Sequence, residues 1–424
     1  MTMPVRALPV LQNWDCAGCS QCCRSYHIPV TAAERARIEG QGWQDDPELK
    51  DTPFFVREKG EYRLNHRPDG PCVFLGSDNR CRIHAKFGSA AKPLACRVYP
   101  FMLVPTGDHW RLGLRLACPA AADNAGRPLS EHLAETREYA KTMEEAAGGA
   151  IAEAPPPPLQ RKQVVPWADL FRIVTMFSRW LGDTEMPLER RWRKVLFVTD
   201  MVRKATLDGK GDAKKSVTGG RLSEMLHVLG LAADEEEPKT AEEVKPPAWV
   251  GRAVFRPLLA VYARKDHGPD KGTAQSGPLG RILAASRFAR GKGRIPKLHA
   301  QIPETTFTAA EQPAGPLSPD ADALLTRYYR LKVESMQFCG RTNFDLPFWD
   351  GLESLALTFP AILWLSRVFA ADGRGRDAAI KPALQLVDDN FGFNKLLGLG
   401  RQKHAVRMLS NRGEVAKLVA WYSR

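Results

Sequence analysis

With 424 residues, 44% hydrophobic and 26% charged, the chain has the composition of a globular protein of two or three domains, which excludes wholesale disorder. Its formal net charge of +13 is unevenly placed, because residues 1–150 are close to neutral and nearly all of the excess lies beyond them. A basic C-terminal half attracts anions (nucleic acid, an acidic protein partner or a phosphorylated ligand) or simply keeps the surface solvated; no aromatic-rich recognition segment or helix-turn-helix spacing favours nucleic acid.

Met1 to Trp14 holds one arginine and a short, proline-broken apolar stretch, unlike a secretion signal. The longest uncharged run, between Glu353 and Arg367, falls short of the roughly 20 apolar residues that a membrane span needs. These features lead us to expect a cytoplasmic protein with no membrane segment and with reduced thiols.

In chain order, Thr31 to Glu39 reads as a helix, with Thr31 and Glu34 in capping-box positions. Phe54–Val56 and Tyr62–Leu64 read as short strands around Gly60, and Trp110 to Leu116 alternates like another. A helix capped by Ser130 is expected from Leu129 to Ala147. Gly148, Gly149 and the run Pro155–Pro158 form a stiff, extended linker, so we divide the chain into a cysteine-rich domain (1–150), a proline-rich linker (151–165) and a mainly helical basic domain (166–424). In the last, Leu188, Trp192, Val195, Leu196, Thr199 and Val202 fall at helical spacing, with arginines and lysines on the opposite face. Ala321–Phe338, Gly351–Ala371 and one or two segments within Asn394–Tyr422 are further helices, and Asp208–Gly220, Asp234–Pro247 and Lys265–Gly280 read as polar surface loops. The fold class is mainly α with an irregular, metal-stapled α+β cysteine-cluster domain at the N-terminus.

Eight of the nine cysteines lie between Cys16 and Cys118. They run Cys16-x2-Cys19-x2-Cys22-Cys23, then Cys72, Cys81, Cys96 and Cys118, with only Cys339 apart. Two-residue gaps let thiolates at both ends of a tight turn converge on one centre, as in zinc ribbons and iron–sulfur proteins, so all eight form the ligand pool. Adjacent residues in extended backbone point to opposite sides, so Cys22 and Cys23 face two sites or only one of them is a ligand. One division places Cys16, Cys19 and Cys22 with a distant fourth thiol, and Cys23 with three of the later four. Zinc and an iron–sulfur cluster both accept four thiolates; the all-thiol set, the ferredoxin-like spacing and Cys118-Pro119 lean toward a cluster of the 4Fe-4S kind. His84 offers a nitrogen ligand or a hydrogen bond to one, Arg97 a charge to offset the thiolates or bind an anionic substrate, and Tyr99 a ring that closes over the site or packs.

At these residues the sequence resembles the YkgJ-type cysteine-cluster family, a zinc- or iron-chelating domain. The matching blocks are the first four cysteines, Gly70–Leu75, Cys81–His84 and Pro93-x2-Cys96-Arg97-Val98-Tyr99-Pro100-Phe101. In length and layout the chain is also similar to the FliB-type flagellin lysine N-methylases, on Leu324 to Phe369 with Tyr328-Tyr329 and Phe344–Phe348. That second resemblance implies S-adenosylmethionine as methyl donor and a protein lysine as acceptor, although no Gly-rich strand-to-helix loop and no CxxxCxxC motif accompanies it. Three functions compete: a metal or cluster protein with a structural, redox or delivery role; a protein lysine methylase; and a structural zinc protein whose basic domain docks an acidic partner, for which Arg287, Arg290, Lys292 and Arg294 are the local signal.

Overall fold

The turn-rich first third folds as three small sheets held between short helices, and helices dominate after residue 133. The computed structural model describes residues 2–424 except 11, 59, 149–150, 152–153, 161–162, 205–216, 267–269 and 274–276. Gly149, most of the expected loop Asp208–Gly220 and parts of Lys265–Gly280 lie outside the described residues.

The capping box forms as expected: Thr31 Oγ1 accepts the Glu34 amide at 3.2 Å, and Glu34 Oε2 accepts the Thr31 amide at 2.8 Å, which starts helix Ala32–Glu39. Strands Phe55–Glu58 and Glu61–Leu64 make a hairpin, and Pro29–Val30 joins its other edge. A second sheet pairs Trp110–Leu114 with Phe101–Pro105 antiparallel and with Val5–Arg6 parallel. Ser130 does not cap a helix. Leu129–His132 is a 3₁₀ turn entered from Pro128, and helix Leu133–Ala146 begins only after His132.

Two cores form. The smaller gathers Ile38, Trp43, Leu49, Leu64, Val73, Phe74 and Ile83 behind the cysteines. The larger runs from the second sheet through the helices, drawing on both sides of the expected linker. Pro155–Pro158 is docked: the Pro158 and Leu159 carbonyls accept the amides of Phe348 and Trp349 at 2.8 and 3.1 Å, satisfying donors that a helix start leaves unpaired.

Helix Phe348–Phe369 is the centre of this core, and with its following turn it is long and apolar enough to cross a membrane, longer than the uncharged run alone suggests. The fold buries 89% of its apolar window, against helices Arg376–Asn390 and Glu414–Ser423 among others. Helix Leu188–Arg203 corrects a second expectation, since its cations do not all face solvent. Arg191, Arg193 and Lys194 are buried and paired with Asp322, with Glu189 and Glu237, and with Asp234 respectively. This helix is covered on several sides by Gly219–Glu236, Trp167–Leu181 and Glu414–Ser423, so its charges are neutralised internally. Helices Pro319–Glu334, Gly400–Asn411 and Glu414–Ser423 lie where the periodicity places them, and Gly219–Glu236 runs into the expected loop Asp234–Pro247.

Candidate metal centre

Each cysteine of the cluster is delivered by a short turn pinned through its own hydrogen bonds. Gly18 and Ser20 take φ of +65° and +58°, reversing the chain into helix Gln21–Ser25, which carries Cys22 and Cys23. The Cys23 carbonyl accepts the Cys72 amide at 2.8 Å and so draws the Pro71–Leu75 segment against that helix. Asn79, left-handed at φ +61°, turns the chain back so that Cys81 pairs with Leu75 and starts helix Arg82–Phe87. Arg24 Nη2 clasps this turn through Asn79 Oδ1 at 2.9 Å. Glu34, besides closing the capping box, accepts the Leu94 amide at 2.6 Å and thereby sets helix Leu94–Val98, which carries Cys96.

Cys22, Cys23, Cys72, Cys81 and Cys96 thus line one cavity of about 850 Å³. Cys22, Cys72, Cys81 and Cys96 lie within electrostatic reach of one another. Cys22 and Cys23 sit on a helical turn, not on extended backbone, and their sulfurs are 3.9 Å apart in the same cavity. The division anticipated from spacing placed Cys22 with Cys16 and Cys19; in the fold Cys22 lines a cavity with Cys72, Cys81 and Cys96 that Cys16 and Cys19 do not line. Cys16 and Cys19 are exposed, and Cys19 falls within reach of buried Cys118, which rests against Trp14.

Three of the cavity thiols, Cys22, Cys72 and Cys96, are held protonated. Contact with Cys23 and then burial push Cys22 far up; burial pushes Cys72 up to about 12 and Cys96 higher still, with Lys92 pulling the other way at Cys22 and Cys96. Among the described residues, no three His, Cys, Asp or Glu side chains stand in a metal-coordinating arrangement. The donor chemistry nevertheless fits a soft metal or an iron–sulfur cluster: four or five thiols share one wall, backed by apolar Phe74 and Ile83, and protons must leave as a metal binds.

The three auxiliary residues separate. His84 is exposed on its helix and does not line the cavity. Arg97 lays its guanidinium 5.1 Å from the Tyr139 ring centroid; the cations that the thiols feel are Lys92, at Cys22 and Cys96, and Arg67, at Cys72. Tyr99 does line the cavity, where its hydroxyl meets that of Tyr26 at 3.3 Å and the two rings pack at 4.9 Å.

The far wall was not visible in the cysteine pattern. Arg115, Lys265 and Asp389 form it, with Tyr26 and Phe393. Asp389 pairs with Arg115 at 3.0 Å and Lys265 at 2.6 Å, and these cations outweigh its burial to hold the carboxyl below the usual range. The Arg115 guanidinium lies 3.7 Å from the centroid of Phe393 and 5.1 Å from that of Tyr26. The one local signal for this wall is a pair of charges, Asp388 and Asp389, breaking an apolar helical pattern after Leu384, Leu386 and Val387.

Residues 15–124 match the CxxCxxCC family model, described as "Putative zinc- or iron-chelating domain". No curated protein and no solved structure is significantly similar to the chain. The matched stretch holds all eight clustered cysteines, and on the strength of its thiol-lined cavity and that match, this domain belongs to the CxxCxxCC cysteine-cluster family and is a metal-binding one.

Proposed function

We propose that Cys22, Cys72, Cys81 and Cys96 hold a four-thiolate iron–sulfur centre that serves a reaction in the adjoining cavity. The observation that carries this reading is that these thiols line a substrate-sized cavity whose lining also comes from residues 264–266, 389–390 and 393–396. A purely structural metal site is closed by its ligands, whereas this one faces a space large enough for a small molecule. An iron–sulfur cluster, when bound, supplies electron transfer. The chain's own residues do the rest. Phe74 and Ile83 keep water from the rear of the thiols, Lys92 offsets thiolate charge, and the Tyr26–Tyr99 pair and Arg115 shape the space in front.

Anaerobic purification followed by iron, sulfide and zinc analysis and an absorption spectrum tests it. Iron with acid-labile sulfide and broad visible absorbance supports the cluster. Zinc alone in a colourless protein overturns the cluster and leaves a zinc site beside a basic docking surface. Neither metal in a folded protein overturns the centre itself.

The cavity volume favours a second reading, methyl transfer from S-adenosylmethionine to a lysine of a protein substrate, because a nucleoside-sized donor fits about 850 Å³ walled by Tyr26 and Phe393. A rise in thermal stability on adding S-adenosylmethionine, followed by methyl transfer to a lysine peptide, supports it; no shift at millimolar donor removes it.

A further inference from the structure

The cavity carries more positive charge than its own carboxylates neutralise. Lys92, Arg115, Arg264, Lys265 and Lys395 line it. Against them stand Asp266 and Asp389, and both are engaged: Asp266 with Arg264 at 2.5 Å, Asp389 with Arg115 and Lys265. Neutralising a thiolate centre explains only one of these cations. Lys92 is the lining cation that acts on Cys22 and Cys96, while Arg115 acts on Tyr26, Tyr99 and Asp389, and on Asp388, which is itself paired with Lys332. Among the described residues that line the cavity, the four other cations therefore exceed the two carboxylates by two charges. Arg115 is itself buried, its side chain 9% exposed, and a guanidinium kept in such a position is stabilised by any further anion that enters. Beside it, Phe393 exposes 41% of its surface and offers a flat apolar face next to the charge.

We infer that this far wall is a subsite for a small organic anion, with its carboxylate or phosphate held by Arg115, Lys265 and Lys395 and its planar body against Phe393 and Tyr26. The inference rests on the proposed function only in that it places this ligand opposite the thiol centre; the charge excess exists whether or not a metal is bound.

Calorimetry and thermal shift on the full chain as purified, at low salt, test it with four probes: phenyl phosphate, benzoate, inorganic phosphate and uncharged benzamide. Phenyl phosphate or benzoate should bind and raise the unfolding temperature, benzamide should not, and affinity should fall as salt rises. Preference between the first two identifies the head group, and inorganic phosphate reports how much the planar body adds. Lys265→Gln and Lys395→Gln should each weaken binding about tenfold; Lys395 is exposed, so that variant keeps the test valid if substitution of Lys265 disturbs folding. Benzamide binding as tightly as benzoate, or anion binding indifferent to both lysine variants, overturns the subsite. The same titrations on chelator-treated protein, with metal content measured in parallel, separate the two readings. Anion binding that persists without metal and still responds to the lysines supports the subsite even if the centre fails, whereas binding lost on chelation and indifferent to the lysines assigns the anion to the metal and overturns it.

Discussion

Replacing Lys332 with methionine removes one half of an ion pair that has almost no solvent contact. Lys332 Nζ lies 2.6 Å from Asp388 Oδ1, with the two side chains 1% and 0% exposed. Gln337 Oε1 accepts from the same ammonium at 2.7 Å, and Asp388 Oδ2 accepts the Ala117 amide at 2.9 Å. Burial pulls the Lys332 pKa below its ordinary value while Asp388 opposes the change. Lys332→Met strands the Asp388 carboxylate, and Asp388→Asn strands the ammonium; each should cost about 3–5 kcal/mol. The double variant has no buried charge, and its asparagine still accepts from Ala117, leaving unmatched amide hydrogens worth about 1–3 kcal/mol. The double should therefore be more stable than either single, as read from urea unfolding midpoints at constant denaturant slope. The helix Arg376–Asn390 that carries Asp388 also places Asp389 on the cavity wall, so anion retention should fall in the singles and recover in the double. Singles costing under about 1 kcal/mol, or a double equal to their sum, would refute the coupling.

Three further outcomes follow from named contacts. Serine at Cys22, Cys72, Cys81 or Cys96 should lower bound metal toward zero, while Cys16→Ser, at an exposed position outside the cavity, should keep it; equal loss from all five would return the site to the spacing-based division. Gly351→Ala should destabilise by about 1–3 kcal/mol or more, because its Cβ would fall 2.1 Å from the Phe338 carbonyl oxygen at the closest approach to the core helix, and wild-type stability would show that the two segments are not in contact. Burial raises the Tyr262 phenol to about 12, so its contribution to stability is complete below about pH 10 and is lost as pH rises toward 12, roughly 3 kcal/mol in all. Tyr262→Phe should flatten the unfolding midpoint across that window and cost little at pH 8, since the hydroxyl's bond to Ser354 is long at 3.4 Å; an unchanged alkaline slope would assign the loss to other groups.

How much of this was legible in the residues differs from element to element. The capping box at Thr31 and Glu34, the hairpin around Gly60 and the helix from Leu188 were all readable, because each depends on side chains within a few positions of one another. The Cys16-x2-Cys19-x2-Cys22-Cys23 run was readable as a candidate ligand motif for the same reason, since two-residue gaps are a property of one turn. Ser130 misled because a proline-entered 3₁₀ turn moved the cap on to His132. The cations of Leu188–Arg203 misled because a 3.6-residue period tells which residues share a face but not how many neighbours cover the helix.

The grouping of the thiols belongs to tertiary structure alone. Cys22 meets Cys72, Cys81 and Cys96 because a backbone bond from Cys72 to Cys23 and the reach of Glu34 to Leu94 fold distant turns together, and neither bond leaves a mark in local spacing. The far wall lies further still from anything the cysteines announce: Arg115, Lys265 and Asp389 come from three parts of the chain and become one charged surface only through packing. By itself the sequence determined which segments carry the cysteine-rich motif and which are helical, since those follow from residue type and short-range period. Only the fold decided which thiols share a cavity and what else lines it, because those are distances between residues separated by up to several hundred positions, and burial sets them.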